Sequence, residues 1–196
     1  MINIYLYYYD DYQYIISNLN KLRFALQYSN DIYDKYDLKN IDNFSVKIII
    51  YKKYKILAVQ CNAEELFNEI KGLSLLKKVN LLDKNLFTKL FENNFSDNLC
   101  DLSINIDILG SEEELVEYEG HRLLEMNILE EFDFYDMNSK TKLKAYSLQP
   151  KGYKYILKVG SMNKLQFNKK YNKEEIEKIL LKLVIIIKFS EWRNCY

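Results

Sequence analysis

The alternation of apolar and polar positions predicts a strand at the start of the chain, followed directly by a helix. Residues 2–9 alternate between two faces, which is the period of a β-strand. From Asp10 or Asp11 the spacing changes to three and four residues and continues to Leu26. That spacing predicts an amphipathic helix with an aspartate as its N-cap.

The rest of the first half predicts a loop, a hairpin and two helices. Residues 29–43 are polar and indicate a loop, and the apolar runs 44–51 and 54–61 flank two lysines as a hairpin. Asn62 and Glu65 form a capping box that opens a helix, and a further helix is expected from Asp83.

The second half repeats several of these signals. Residues 101–110 alternate as a strand, and Ser111–Glu114 form a capping box that opens a helix or a turn. Residues 119–137 are ambiguous between helix and strand. The sequence QPKG (149–152) predicts a type I turn in a hairpin, and a capping box at Asn172 and Glu175 opens a last amphipathic helix.

Together these elements predict an α+β fold with a mostly antiparallel sheet and packed helices. INIYLY at 2–7 resembles INIDIL at 104–109. We therefore expect two similar β-α-β-β-α modules, residues 1–96 and 97–196, which either stand apart or form one continuous domain.

Composition and charge restrict the function. Of 196 residues, 48% are hydrophobic and 15% aromatic, which is ample for a packed core. Lys plus Arg and Asp plus Glu are 28 each, so the net charge is zero and gives no general attraction to nucleic acid or an anionic membrane. The abundance of Ile, Lys, Asn and Tyr indicates an AT-rich gene, as in a low-GC bacterium or its phage.

Cysteine and terminal patterns favour the cytoplasm. The three cysteines are far apart, and they form neither a metal-binding pair nor a disulfide framework. The N-terminus lacks the basic and small-residue features of a secretory signal. The apolar run at 179–189 is too short to cross a bilayer, but it offers a surface for homodimer formation.

Signatures of catalysis are mostly missing, so we predict no catalytic residue, no cofactor and no metal site. The chain has one histidine, His121, and no nucleophile elbow, phosphate loop or zinc motif. One enzymatic alternative stays open, a carboxylate and divalent-metal hydrolase such as a nuclease. It requires Asp101, Asp107 and an acid from 112–119 to converge.

A second alternative is lysine-dependent nucleic-acid binding. Lysines alternate with aromatic residues in YKKYK (51–55), KGYKYILK (151–158) and KLQFNKKYNK (164–173). Lysine on phosphates and tyrosine on bases is a known mode of single-strand binding. It requires one stripe formed by Lys52, Lys53, Lys151, Lys154 and Lys158.

The leading prediction is a small protein-binding factor of the inhibitor, immunity or phage anti-defence type, which occludes a partner protein stoichiometrically. It rests on YLYYYDDYQY (5–14), because tyrosine is enriched in recognition surfaces and the acidic residues suit a basic, nucleic-acid-handling partner. The competing expectation is that the tyrosines pack in the core. The predicted contact residues are Tyr5, Tyr7, Tyr9, Asp10, Asp11, Tyr12, Glu112 and Glu113.

Overall fold

A computed structural model describes residues 1–39, 45–61, 76–107, 114–119 and 140–192. Contacts divide the chain into two compact units. The first unit is Met1–Val79 with Asn163–Leu165, and the second is Asn80–Met162 with Gln166–Tyr196. The division by contacts thus follows Val79, whereas the sequence placed a module boundary between residues 96 and 97.

The first unit is built from one described helix and six described strands. They are β1 (Ile2–Tyr8), α1 (Tyr12–Lys21), β2 (Ala25–Ser29), β3 (Tyr33–Lys39), β4 (Ser45–Tyr51), β5 (Ile56–Gln60) and the short β6 (Lys77–Lys78). The strand order is β2-β3-β4-β5-β1, and neighbouring strands in this order are antiparallel. Strand β6 also pairs antiparallel with β1.

Helix α1 begins at the predicted cap and ends earlier than predicted. The Asp11 carboxylate accepts from the backbone N–H groups of Gln13 at 2.8 Å and Tyr14 at 3.2 Å. At the other end, Arg23 adopts a left-handed φ of 62°, and the Phe24 N–H donates to the Leu19 carbonyl at 3.0 Å. This closing turn satisfies the last carbonyls of the helix and turns the chain into β2, where the sequence predicted continued helix.

The core of the first unit lies between α1 and one face of its sheet. Ile15 and Leu19 are the buried residues of α1. They join a cluster that includes sheet residues from β1, β3, β4 and β5, among them Tyr36, Ile48, Ile50, Leu57 and Val59. Burial of this cluster is the main favourable term for folding of the unit.

The second unit contains two described helices and the remaining strands. They are α2 (Lys84–Glu92), β7 (Ser96–Asp107), β8 (Glu114–Glu119), β9 (Lys140–Pro150), β10 (Leu157–Ser161), β11 (Lys164–Phe167, whose first two residues belong to the first unit) and α3 (Lys173–Trp192). The strand order is β8-β7-β9-β10-β11. Pairs β7–β8, β7–β9 and β9–β10 are antiparallel.

Helix starts in the second unit follow the sequence signals. The Asp83 carboxylate accepts from the Leu86 N–H at 3.0 Å. At α3, Asn172 and Glu175 exchange side-chain to backbone hydrogen bonds of 2.9 Å each, which confirms the capping box. No described helix combines the length and the hydropathy that a membrane crossing requires.

The α+β class with a large antiparallel sheet is confirmed, but the described elements do not repeat a β-α-β-β-α order. In the described residues the first unit has strand, helix and five further strands, and the second has helix, five strands and helix. The helix predicted from Asn62 and residues 120–137 of the ambiguous segment lie outside the described residues. Residues 33–39 form β3 where a loop was expected, and residues 114–119 form β8 where the capping box at Ser111 predicted a helix or turn. Residues 111–113 lie outside the described part of the chain.

Candidate functional site

The three tyrosines of the opening strand lie in the core of the first unit. Tyr5, Tyr7 and Tyr9 are each 4% exposed, because α1 packs on the face that they share. The Tyr9 hydroxyl reaches the backbone carbonyls of Tyr51 and Lys52, both at 3.4 Å. The expectation of an open tyrosine surface is therefore wrong for these residues, and the competing expectation of core packing describes them.

The next predicted contact residues lie at the surface. Asp10 and Asp11 are exposed, and Tyr12 is half-buried. Since the Asp11 carboxylate caps α1, Asp10 is the carboxylate of this pair without a described structural role. Glu112 and Glu113 lie outside the described residues.

Asp10 and Asp11 share one end of the sheet with the ends of several other strands. Paired residues connect these ends across the sheet: Tyr8 with Ile56, Ile56 with Tyr51, Tyr51 with Tyr33, and Asp34 with Ser29. The segment after β1, the β4–β5 turn and the β2–β3 turn therefore lie at the same end of the first unit.

A buried carboxylate, which the sequence analysis did not single out, lies at this end. Asp34 on β3 is 2% exposed. It accepts hydrogen bonds from the Ser29 hydroxyl at 2.6 Å, from the Lys52 ammonium at 3.0 Å and from the Tyr12 hydroxyl. Burial opposes ionisation, but these three donors and the Lys52 charge outweigh it and lower the pKa of Asp34.

The phenols around Asp34 stay protonated. Burial and the Asp34 charge raise the pKa of Tyr9 to about 12. Burial first, and then the Asp34 carboxylate, also raise the pKa values of Tyr12 and Tyr36. The network is thus a fixed carboxylate that accepts hydrogen bonds from three donors within the protein. It ties the end of β2 to β3, α1 and the β4–β5 turn.

Strand β2, which lies beside this network, is the most exposed of the described strands of the first unit that have five or more residues. All five of its residues are exposed, and Leu26 and Tyr28 show 53% and 48% of their surface. Ile32, in the following turn, is 41% exposed. Strand β2 is the first in the strand order, so its outer edge has no partner strand in the part of the chain that the structure describes. We call residues 25–29 with Ile32 the β2 edge.

Tyr28 on this edge is held by its neighbours. Its ring centroid lies 5.7 Å from that of Tyr33, which in turn lies 5.9 Å from that of Tyr51. The Lys35 ammonium lies 5.2 Å from the centroids of both Tyr28 and Tyr33. Ring and cation contacts of this kind restrict the Tyr28 side chain, so that a preordered aromatic residue faces solvent.

The metal alternative finds limited support in the described residues. They contain no group of three or more His, Cys, Asp or Glu side chains placed to hold a metal ion. Asp101 and Glu117 both line a trough on the second unit, which brings two of the expected acids near each other.

Several lysines of the nucleic-acid alternative are engaged within the protein. Lys52 pairs with Asp34. The Lys164 and Lys170 ammonium groups lie 5.7 Å and 5.9 Å from the ring centroids of Tyr5 and Tyr155. The alternation of lysine and tyrosine in the sequence thus corresponds in part to intramolecular cation–π pairs.

The apolar run considered for homodimer formation is buried inside the protein. Most of its apolar residues lie in the core of the second unit: Ile179, Leu180, Leu183, Val184, Ile186 and Ile187. Phe189 is exposed. The run therefore has an intramolecular role that accounts for its hydropathy.

The chain matches no family model, and a search of curated proteins found no match. The site rests on geometry alone. One weak sequence signal pointed to the β2–β3 hairpin, namely the turn-forming residue Asn30. Its side-chain oxygen accepts hydrogen bonds from the Ile32 and Tyr33 N–H groups at 2.9 and 2.8 Å.

Proposed function

We propose that this protein is a cytoplasmic, stoichiometric protein-binding factor of the inhibitor, immunity or anti-defence type, and that its contact surface is the β2 edge. The observation that carries the proposal is the exposure of all five residues of β2 at the edge of a sheet whose central strands β4 and β5 are mostly buried. Natural proteins usually shield such edges with charge, proline or a covering segment. Here Leu26, Tyr28 and Ile32 add apolar area to it.

An extended segment of the partner would add to β2 as a further strand. In strand addition, main-chain hydrogen bonds supply affinity and alternate side chains supply specificity. Tyrosine provides large contact area at low entropic cost, and Tyr28 is already ordered by Tyr33 and Lys35. The Asp34 network anchors the end of β2 beneath this contact.

The β2–β3 pair also contains a feature that restricts indiscriminate pairing. The register shifts between Leu26 and Tyr28, so Gln27 is an extra residue on β2. A bulge of this kind increases the local twist and interrupts regular edge pairing. It favours one shape-matched partner strand over open-ended stacking of copies.

Two carboxylates near the edge offer contacts for a basic partner, and the β4–β5 turn at the same end of the sheet carries the exposed Lys53 and Lys55. Asp10 and Asp31 are exposed and lie at the end of the sheet where β2 ends. Charges at the rim of an interface steer association more than they add affinity. We therefore expect Asp10→Lys to slow association, with a smaller effect on the lifetime of the complex.

The experiment is capture of the partner from the native host with the tagged protein, with and without nuclease and EDTA. Leu26→Lys and Tyr28→Lys place a charge on the β2 edge at exposed positions, so folding should be retained. Phe189→Lys changes an exposed apolar residue of the second unit and is the matched control.

The proposal predicts one stoichiometric protein that survives nuclease and EDTA, is lost with Leu26→Lys and Tyr28→Lys, and is retained with Phe189→Lys. Equal retention by all three variants would overturn the β2 edge as the contact. Loss of the bound material on nuclease treatment would show that the protein binds nucleic acid and would overturn the proposal of a protein partner. If the protein instead forms a dimer, and Leu26→Lys and Tyr28→Lys each prevent dimer formation, the partner of the β2 edge would be a second copy of this chain.

A further inference from the structure

The sheet of the second unit carries a trough on one face. The opposite face is buried and includes Leu102, Ile104, Tyr146, Leu148, Leu157 and Val159. The trough has a volume of about 260 Å³ and is lined from β7, β8, β9, β10 and β11. This volume lies just below the roughly 300–1,000 Å³ of pockets that hold drug-sized ligands, so the trough suits a small ligand.

Two irregularities of strand pairing bracket the trough. Leu99 pairs with Leu148, but the next pair is Asp101 with Ser147, which leaves Cys100 as an extra residue on β7. A second shift follows Ser103. The first bulge lets Leu99 and Leu102 both reach the core although they are three residues apart, and it turns Asp101 to the open face. Bulges that re-aim side chains are over-represented beside functional sites.

The floor of the trough is made of small residues. Ser103 pairs with Ala145, and Gly160 follows on β10 in continuation of the β9–β10 register. The chain contains only five glycines and four alanines, and an exposed antiparallel face normally favours β-branched or long side chains. Two of these rare residues therefore lie side by side where side-chain volume would fill the trough.

Gly160 is not required by its backbone conformation. It is not among the positive-φ residues, and a Cβ placed on it would meet only the Gln166 Oε1 atom, at 3.6 Å, which is an ordinary contact. Since neither strain nor close backbone approach demands glycine here, the consequence of the missing side chain is open space above β10.

Charged side chains of opposite sign stand at the two sides of this floor. Asp101 and Glu117 lie on β7 and β8, and Lys158 lies on β10. Asp101 and Lys158 both pair with Ser147 in register, so they stand two strand spacings apart, about 10 Å between Cα atoms. The Ser147 hydroxyl donates to the Asp101 carboxylate and orients it.

We propose that the trough binds a free basic amino acid, with its side-chain cation at Asp101 and Glu117 and its α-carboxylate at Lys158. Two carboxylates and one ammonium match a ligand with two cationic groups and one carboxylate. A guanidinium group fits carboxylates best, because its planar fork donates in pairs. The inference concerns the second unit and does not depend on the β2 edge.

The test is amide NMR of the full chain titrated with L-arginine, agmatine and L-citrulline. Agmatine lacks the carboxylate, and citrulline lacks the side-chain charge. L-Arginine should give saturable shifts at Asp101, Ser103, Lys158 and Gly160, and citrulline should not. Glu117→Gln should lower the affinity for both L-arginine and agmatine, whereas Lys158→Met should lower the affinity for L-arginine alone. Each loss should be about tenfold, as expected for loss of a hydrogen bond to a charged group.

Two further variants keep the test decisive. Gly160→Leu fills the floor and should abolish binding while the dispersion of the spectrum shows that the fold persists. Lys154→Met removes an exposed lysine outside the trough and should leave binding unchanged. Absence of saturable shifts at about 10 mM L-arginine, tenfold above a Kd of about 1 mM, would overturn the proposal. So would shifts at another surface, or equal effects of Lys158→Met and Lys154→Met.

Discussion

The carboxylate of Asp34 on β3 lies 3.0 Å from the ammonium of Lys52, just after β4, and is itself almost completely buried. Ser29 at the end of β2 and Tyr12 at the start of α1 donate to the same carboxylate. One side chain thus fixes four segments of the first unit. The exposed β2 edge begins at this anchor, which explains how an edge strand with few buried contacts of its own can hold a defined shape.

Removing the cation should destabilise the first unit. Lys52→Met leaves Asp34 with two neutral donors and an uncompensated buried charge, and under-satisfied buried polar groups cost about 1–3 kcal/mol. We expect a loss of that size in the free energy of unfolding by urea. Lys53→Met, at the neighbouring exposed position, should change it by less than about 0.5 kcal/mol. Equal effects of the two variants would contradict a structural role for the pair.

Acid should weaken the fold through Asp34. Its folded-state pKa is lowered, so its contribution to stability is complete above the ordinary aspartate pKa of about 4 and is lost as the pH falls through the folded-state pKa. Urea unfolding across this range should show a steeper loss for wild type than for Asp34→Asn. Parallel pH profiles of the two proteins would show that Asp34 is not responsible.

Alkali should weaken both units through buried phenols. Burial is the main cause that raises the pKa of Tyr9 in the first unit and of Tyr171 in the second, each to about 12. Their contribution is complete below the ordinary value of about 10 and is lost as the pH rises towards 12. Phenolate absorbance should therefore lag behind that of the denatured chain, and Tyr9→Phe should reduce the lag. A native titration that coincides with the denatured one would refute this.

Glycine at the end of α1 should stabilise the protein. Arg23 occupies a left-handed conformation with φ of 62°, which costs a residue with a Cβ about 1–2 kcal/mol relative to glycine. Because glycine also loses more freedom on folding, we expect Arg23→Gly to raise the free energy of unfolding by about 1 kcal/mol. Lys21→Gly, inside the last helical turn, should lower it by about the same amount. A loss of stability with Arg23→Gly would show that its side chain is required.

Local signals in the sequence predicted the elements that have a local cause. The helix starts at Asp11, Asp83 and Asn172 were predicted because capping requires a side-chain acceptor at a fixed place. The turn after β9 was predicted one residue early: the Tyr153 N–H donates to the Pro150 carbonyl at 3.0 Å, and Gly152 has a φ of 84°. That positive φ places the glycine at the third position of the turn, as type II geometry requires.

Features that depend on tertiary contacts were not predicted. The sequence of strand β3 resembles a polar loop because Asp34 and Tyr36 face inward, and the donors to the Asp34 carboxylate lie on other segments. In β1 both faces are buried. Because tyrosine is amphipathic, alternating tyrosines occur both in a core and on a solvent-exposed sheet face, and the sequence pattern does not distinguish the two. The trough depends on the extra residue Cys100, and sequence periodicity cannot place a bulge.

Amide hydrogen exchange of residues 25–29, compared between the free protein and its complex with the captured partner, tests the central claim most directly. An unpaired edge exchanges rapidly, and an added strand protects its outward N–H groups. The account predicts that β2 exchange slows strongly in the complex while that of α3 does not change. A stable complex in which β2 exchanges at the rate of the free protein would contradict it.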